Sequence, residues 1–172
     1  MRKKRVFIGV DIGKKGAIVA IHENGLVNKH TIPVIGDKVL DTELFKIFEE
    51  YQEYEVFVCL EEVHSLFGMS AKSNFSFGEL YGKKKMIGAV CSYLYGFTLD
   101  FVPPKKWQAQ MWTTTDKVFK TGKKVDTKKT SLVAANRLLP GEAFLATTRS
   151  RVAHDGLVDA YLIAMYCKLK YA

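Results

Sequence analysis

The chain has 172 residues, 48% of them hydrophobic, with 26 Lys and Arg against 18 Asp and Glu, a formal net charge of +8. That length fits one domain, residues 1–172, with enough apolar side chains for a sizeable core. No apolar run approaches the ~20 residues that span a bilayer, the basic N-terminus leads into a strand pattern and not a signal peptide, and the surplus of positive charge favours a polyanionic partner.

After a basic tail, Val6 to Asp11 reads as a strand that is apolar until its final carboxylate. Gly13 and Gly16 permit a tight turn, and Ala17 to Ile21 reads as a strand running back. Leu26 to Pro33 is a weakly patterned third strand, followed by a loop at Gly36 to Lys38. Helical spacing over Asp41 to Tyr54 places Leu44, Phe45, Ile47 and Phe48 together, with Asp41 or Thr42 as N-cap. Val56 to Leu60 is apolar on both faces, as suits a central strand covered by helices, and it too ends in carboxylates, Glu61 and Glu62. Phe67 to Ser76 is rich in Ser, Gly and Asn. Glu79 to Tyr95 reads as a long helix with Leu80, Met86, Ile87, Val90 and Leu94 apolar, and Phe97 to Val102 as a strand stopped by Pro103 and Pro104. A short helix opens at Lys105 and runs to Trp112. Thr113 to Lys129 is a lysine-loaded stretch containing a loop, ahead of a helix from Asp126 to Leu139. The last helix, Ala153 to Leu169, turns Leu157, Val158, Ala160, Tyr161, Ala164, Met165 and Leu169 toward a core. This order predicts a mixed α/β sheet with helices on both faces. Cys59, Cys91 and Cys167 lie far apart in apolar segments with no Cys-x-x-Cys pair. They read as reduced core thiols of a cytoplasmic protein, not a disulfide frame or zinc site.

Four acids carry the chemistry. Asp11 and Glu61 end apolar strands, and Asp155 and Asp159 lie four apart, so they share one face of the last helix. Each has an ordinary alternative: Asp11 as a turn residue, Asp155 as a helix cap. Asp159 lies inside the apolar stripe, where no cap role exists. If the first and fourth strands are neighbours and the last helix crosses them, the four converge. Crowded carboxylates repel unless cations neutralise them, and oxygen ligands suit Mg²⁺, with Mn²⁺ as substitute. Two such ions about 4 Å apart can activate water for phosphodiester hydrolysis while lysines hold the phosphates.

The ordered set Val-Asp-Ile-Gly at 10–13, Leu-Glu-Glu-Val-His at 60–64 and His-Asp-Gly-Leu-Val-Asp-Ala at 154–160 resembles RuvC-type Holliday-junction resolvases, most nearly the phage-borne members. The segments SNFSFGELYG, VPPKKWQ and DTKKTSLVAANRLLP fit the family's spacing, and the resemblance covers roughly Val6 to Met165. It implies a ribonuclease H-like α/β fold, a mixed five-stranded sheet flanked by helices, in a homodimer. It also implies Mg²⁺-dependent nicking of four-way and other branched DNA in the host cytoplasm, leaving 5′-phosphate and 3′-hydroxyl ends. Asp11, Glu61 and Asp159 match the family's first, second and last acids. Gly156 stands where many members carry the third acid, so Asp155 is its substitute and His154 the runner-up. Glu62 points away from Glu61 and reads as a solvated surface acid.

For DNA contacts, Lys105 and Lys106 open a helix, Lys124, Lys128 and Lys129 lie in the basic stretch, and Phe75, with Phe67 and Phe77, is a wedge candidate. Trp107 and Trp112 are assigned to the core or a helix interface, and the helix from Glu79 to a dimer contact or the sheet. Two other functions stay open. Asp-Ile-Gly-x-x-Gly also resembles the phosphate loop of actin- and hexokinase-like ATPases, though these need a second nucleotide-binding half. The chain could also be a junction-binding protein without catalysis.

Overall fold

The structure, a computed structural model, describes residues 2–12, 15–36, 38–62 and 81–172. Seven strands are present among them: β1 (Arg5–Asp11), β2 (Ala17–His22), β3 (Val27–Thr31), β4 (Val34–Ile35), β5 (Lys38–Val39), β6 (Glu55–Glu61) and β7 (Thr98–Val102). The main sheet has the order β3-β2-β1-β6-β7. Its β1–β2 and β2–β3 pairs are antiparallel, whereas β1–β6 and β6–β7 are parallel. This is the mixed five-stranded sheet with flanking helices that the resemblance implies. The expected loop keeps its turn at Gly36 and joins the small β4–β5 ribbon, whose second strand takes in Lys38.

The helices are α1 (Asp41–Glu49), α2 over residues 81–89, α3 (Pro104–Met111), α4 (Thr127–Leu138) and α5 (Asp155–Tyr171). Strand alternation sorts the core into two layers. Val6, Ile8, Val10, Val58 and Leu60 pack with Leu44 and Phe48 of α1, Ile87 of α2 and Cys91 just beyond it. Phe7, Cys59 and Val102 pack on the opposite face with Trp107 of α3, Ala134 and Ala135 of α4, and the buried stripe of α5. All three cysteines are free and buried.

Several local expectations change. Helix α1 stops at Glu49 because the chain breaks into turns through Tyr51 and Tyr54. Its N-cap is Leu40, which offers no side-chain cap, while Asp41 is spent on an ion pair with Lys83. After α2 a π turn, Val90–Leu94, inserts extra backbone and rotates the helix face. Cys91 stays buried, but Leu94 turns out to solvent instead of covering the sheet. Leu169 is likewise exposed at the end of α5. The lysine-rich stretch is more ordered than a loop. Thr113 and Asp116 form a capping box, and Phe119 bridges Val125 in a short antiparallel turn. Gly13, the start of the helix predicted from Glu79, and Phe67, Phe75 and Phe77 lie outside the described residues.

Candidate functional site

Parallel pairing of β1 with β6 sets Val10 beside Leu60, so the next residues, Asp11 and Glu61, end adjacent strands at the same edge. Alternation puts both on the face covered by α5, with Phe7 and Cys59. Gly9 is what lets α5 come down onto β1. A Cβ there would lie 2.1 Å from the carbonyl oxygen of Ala160 and 2.2 Å from the nitrogen of Ala164. Asp159, the residue before Ala160, is thereby carried to the ends of β1 and β6.

The three carboxyls sense one another. Burial first, then the charges of Glu61, Asp159 and Asp155, push Asp11 well above the usual carboxylate range. Burial lifts Glu61 to about 7, against the lowering effect of a hydrogen bond from Trp107, and Asp159 adds to the rise. Asp159 is raised to about 6, again chiefly by burial. A Ser131 hydrogen bond and the Lys128 charge oppose that rise, and Asp155 reinforces it. Oδ1 of Asp159 is buried without a hydrogen-bond partner among the described residues.

Asp155 occupies a different position. It opens α5, is exposed, and accepts from Lys128 Nζ at 2.5 Å. His154 is the N-cap of α5, and its Nδ1 accepts from the Leu157 amide at 3.2 Å. Gly156 explains why no acid stands between them and Asp159. A Cβ at 156 would lie 2.2 Å from the Lys15 carbonyl oxygen, so the first turn of α5 rests directly on the β1–β2 connection.

Trp107 is fully buried as expected, yet its Nε1 donates to Glu61 Oε1 at 3.0 Å. Sequence reasoning missed this contact, and its one signal was a tryptophan inside a lysine-rich helix start. Glu62 does turn to the other face, but it is not a freely solvated acid. It lies 3.9 Å from the ammonium of Lys84, a buried residue of α2 that also stacks over Phe101.

Lys105 and Lys106 are exposed in the first turn of α3, and Lys124, Lys128 and Lys129 are exposed at and before the start of α4. Of these, Lys128 is tied by its ion pair to the carboxylate group.

Hard oxygen donors, raised carboxyl pKa values and a buried carboxylate oxygen without a donor suit a divalent cation of the Mg²⁺ class. Among the described residues, no three His, Cys, Asp or Glu side chains are drawn together tightly enough to enclose an ion.

No family model and no curated protein matches the chain. Two solved structures of Thermus thermophilus RuvC are similar to it, one of RuvC in complex with a Holliday junction substrate at 15% identity and one of RuvC at 16%. Each alignment covers 96% of this chain and 96% of the other, with a TM-score of 0.47.

Proposed function

We propose that this chain is a structure-selective DNA endonuclease that nicks four-way and other branched junctions. The observation that carries the reading is the grouping of Asp11, Glu61 and Asp159 at one sheet edge, with an unsatisfied carboxylate oxygen, in a protein of net charge +8. Asp11, Glu61 and Asp159 would hold Mg²⁺ or Mn²⁺, with Asp155 at the rim. The bound metal would supply a hydroxide-like nucleophile and stabilise the leaving oxygen, giving 5′-phosphate and 3′-hydroxyl ends.

The chain's own residues do the rest. Trp107 fixes the Glu61 carboxylate through its indole N–H. Lys128 partly neutralises Asp155, and its exposed side chain can exchange that partner for a phosphate. Lys105, Lys106, Lys124 and Lys129 supply further phosphate contacts, which set register without reading sequence. A homodimer would present two such sites to the two equivalent strands of a junction.

The test compares four-way, three-way, flap and linear DNA in Mg²⁺. Asp11→Asn is expected to drop nicking of the four-way junction below about 1% of wild type. Junction binding in EDTA should be retained or tightened, because one repulsive charge is gone. Full nicking by Asp11→Asn would remove the metal assignment.

A further inference from the structure

Residues 117–126, Lys-Val-Phe-Lys-Thr-Gly-Lys-Lys-Val-Asp, hold four lysines around a phenylalanine. The segment folds back on itself. Phe119 pairs with Val125, the Lys120 amide donates to the Lys124 carbonyl at 2.8 Å, and the Asp126 amide donates to the Val118 carbonyl at 2.7 Å. The turn passes through Gly122 and Lys123, both at positive φ (85° and 64°). Its base is anchored twice. The Val118 amide donates to Thr130 Oγ1 on α4, and the preceding Asp116 is locked to Arg137 at 2.9 Å.

This scaffold leaves Phe119 59% exposed. Lys117, Lys120, Lys123 and Lys124 are exposed, and none is in an ion pair among the described residues. A lone exposed phenylalanine is unremarkable by itself. One held on a braced turn, among four uncompensated cations, is a different object. The turn also leads directly into α4, whose Lys128 touches Asp155 at the edge of the carboxylate group.

We propose that this turn is a base-stacking subsite, in which Phe119 packs against the face of an unpaired or unstacked nucleobase while the surrounding lysines hold the flanking phosphates. An aromatic ring interleaved with lysines matches a nucleotide strand, which presents a π face and an anion at each unit. Base faces are hidden inside a continuous duplex, so the subsite engages branch points and single strands and passes over linear duplex. The choice of branched DNA as ligand rests on the nuclease reading above; the stacking contact is separately testable.

The experiment uses the full chain in EDTA, with a four-way junction, a linear duplex of the same arm sequence and a thymidine oligonucleotide. Phe119→Ala is expected to weaken junction binding by roughly tenfold or more, leaving duplex binding and thermal stability at wild-type values. Phe119→Trp should restore junction affinity and lose emission on adding junction or oligonucleotide, measured against the wild-type signal of Trp107 and Trp112. Wild-type junction affinity in Phe119→Ala, or equal loss for junction and duplex, would overturn the subsite, as would unquenched emission with both DNAs. Wild-type protein that nicks no branched DNA in Mg²⁺, with Phe119→Trp still quenched by the oligonucleotide, would sink the nuclease reading and support the subsite.

Discussion

Trp107 and Gly156 each show one residue doing what its neighbours require. The Trp107 indole fills the layer under α5 and spends its single donor on Glu61. A carboxylate so held is oriented before any ligand arrives, and loss of such a supporting contact typically costs 10–100-fold in metal affinity. Trp107→Phe keeps most of the ring and removes the donor. It is expected to raise the Mg²⁺ concentration for half-maximal nicking by about tenfold, with the same change in calorimetric Mg²⁺ affinity. An unaltered affinity would reduce Trp107 to a packing residue. At 156, the backbone of the β1–β2 connection occupies the place of any side chain, so the acid four residues before Asp159, not three, reaches the site's rim.

At the level of elements, the site depends on how closely α5 lies on β1. A mid-strand glycine weakens a strand unless another backbone needs the space. Here Ala160 and Ala164 take it, and the small side chains of both partners let helix and strand meet. Gly9→Ala therefore has to push α5 away or bend β1. The expected loss is about 3 kcal/mol of folding stability, read by denaturant unfolding, together with weaker metal binding because Asp159 moves with the helix. Stability within 0.5 kcal/mol of wild type, as for an ordinary surface change, would show that the contact is soft. The base of the lysine-rich turn is held differently. Arg137 Nε and one terminal nitrogen both donate to Asp116, whose carboxyl sits at about 2, chiefly because of that guanidinium hydrogen bond.

Across the whole molecule, opposite electrostatic regimes stand side by side. The surface carries a net positive charge, and one sheet edge collects acids that burial and mutual repulsion drive toward protonation. A carboxyl that binds its proton more tightly when folded adds stability at low pH and withdraws it as pH rises. For Asp159 and Glu61 that window runs from their ordinary values of 3.8 and 4.5 up to about 6 and about 7. In EDTA, Asp159→Asn should therefore melt higher than wild type at pH 8, by roughly 2–4 °C, and match it near pH 4. Mg²⁺ at pH 8 should raise the wild-type Tm and move the variant less. Identical EDTA melting profiles for the two proteins from pH 4 to pH 8 would contradict the crowding of these carboxylates.

The apolar runs ending in Asp11 and Glu61, the apolar stripe of the last helix and the alternation of strands and helices are local patterns. Period and composition were enough to read them as a mixed sheet covered on both faces. Leu94 and the end of α1 were not legible, because a π turn and a string of tight turns leave no mark on hydrophobic periodicity. The meeting of the acids was beyond any local rule. It depends on β1 pairing parallel with β6 across more than forty residues of chain, and on Gly9 admitting α5. The Trp107–Glu61 bond and the Lys84–Glu62 approach likewise join residues that are remote in the chain. Side-chain type and spacing fix what each segment can bury. Only packing in three dimensions decides which charges must share a low-dielectric pocket, because that depends on the distance between elements and not on their order.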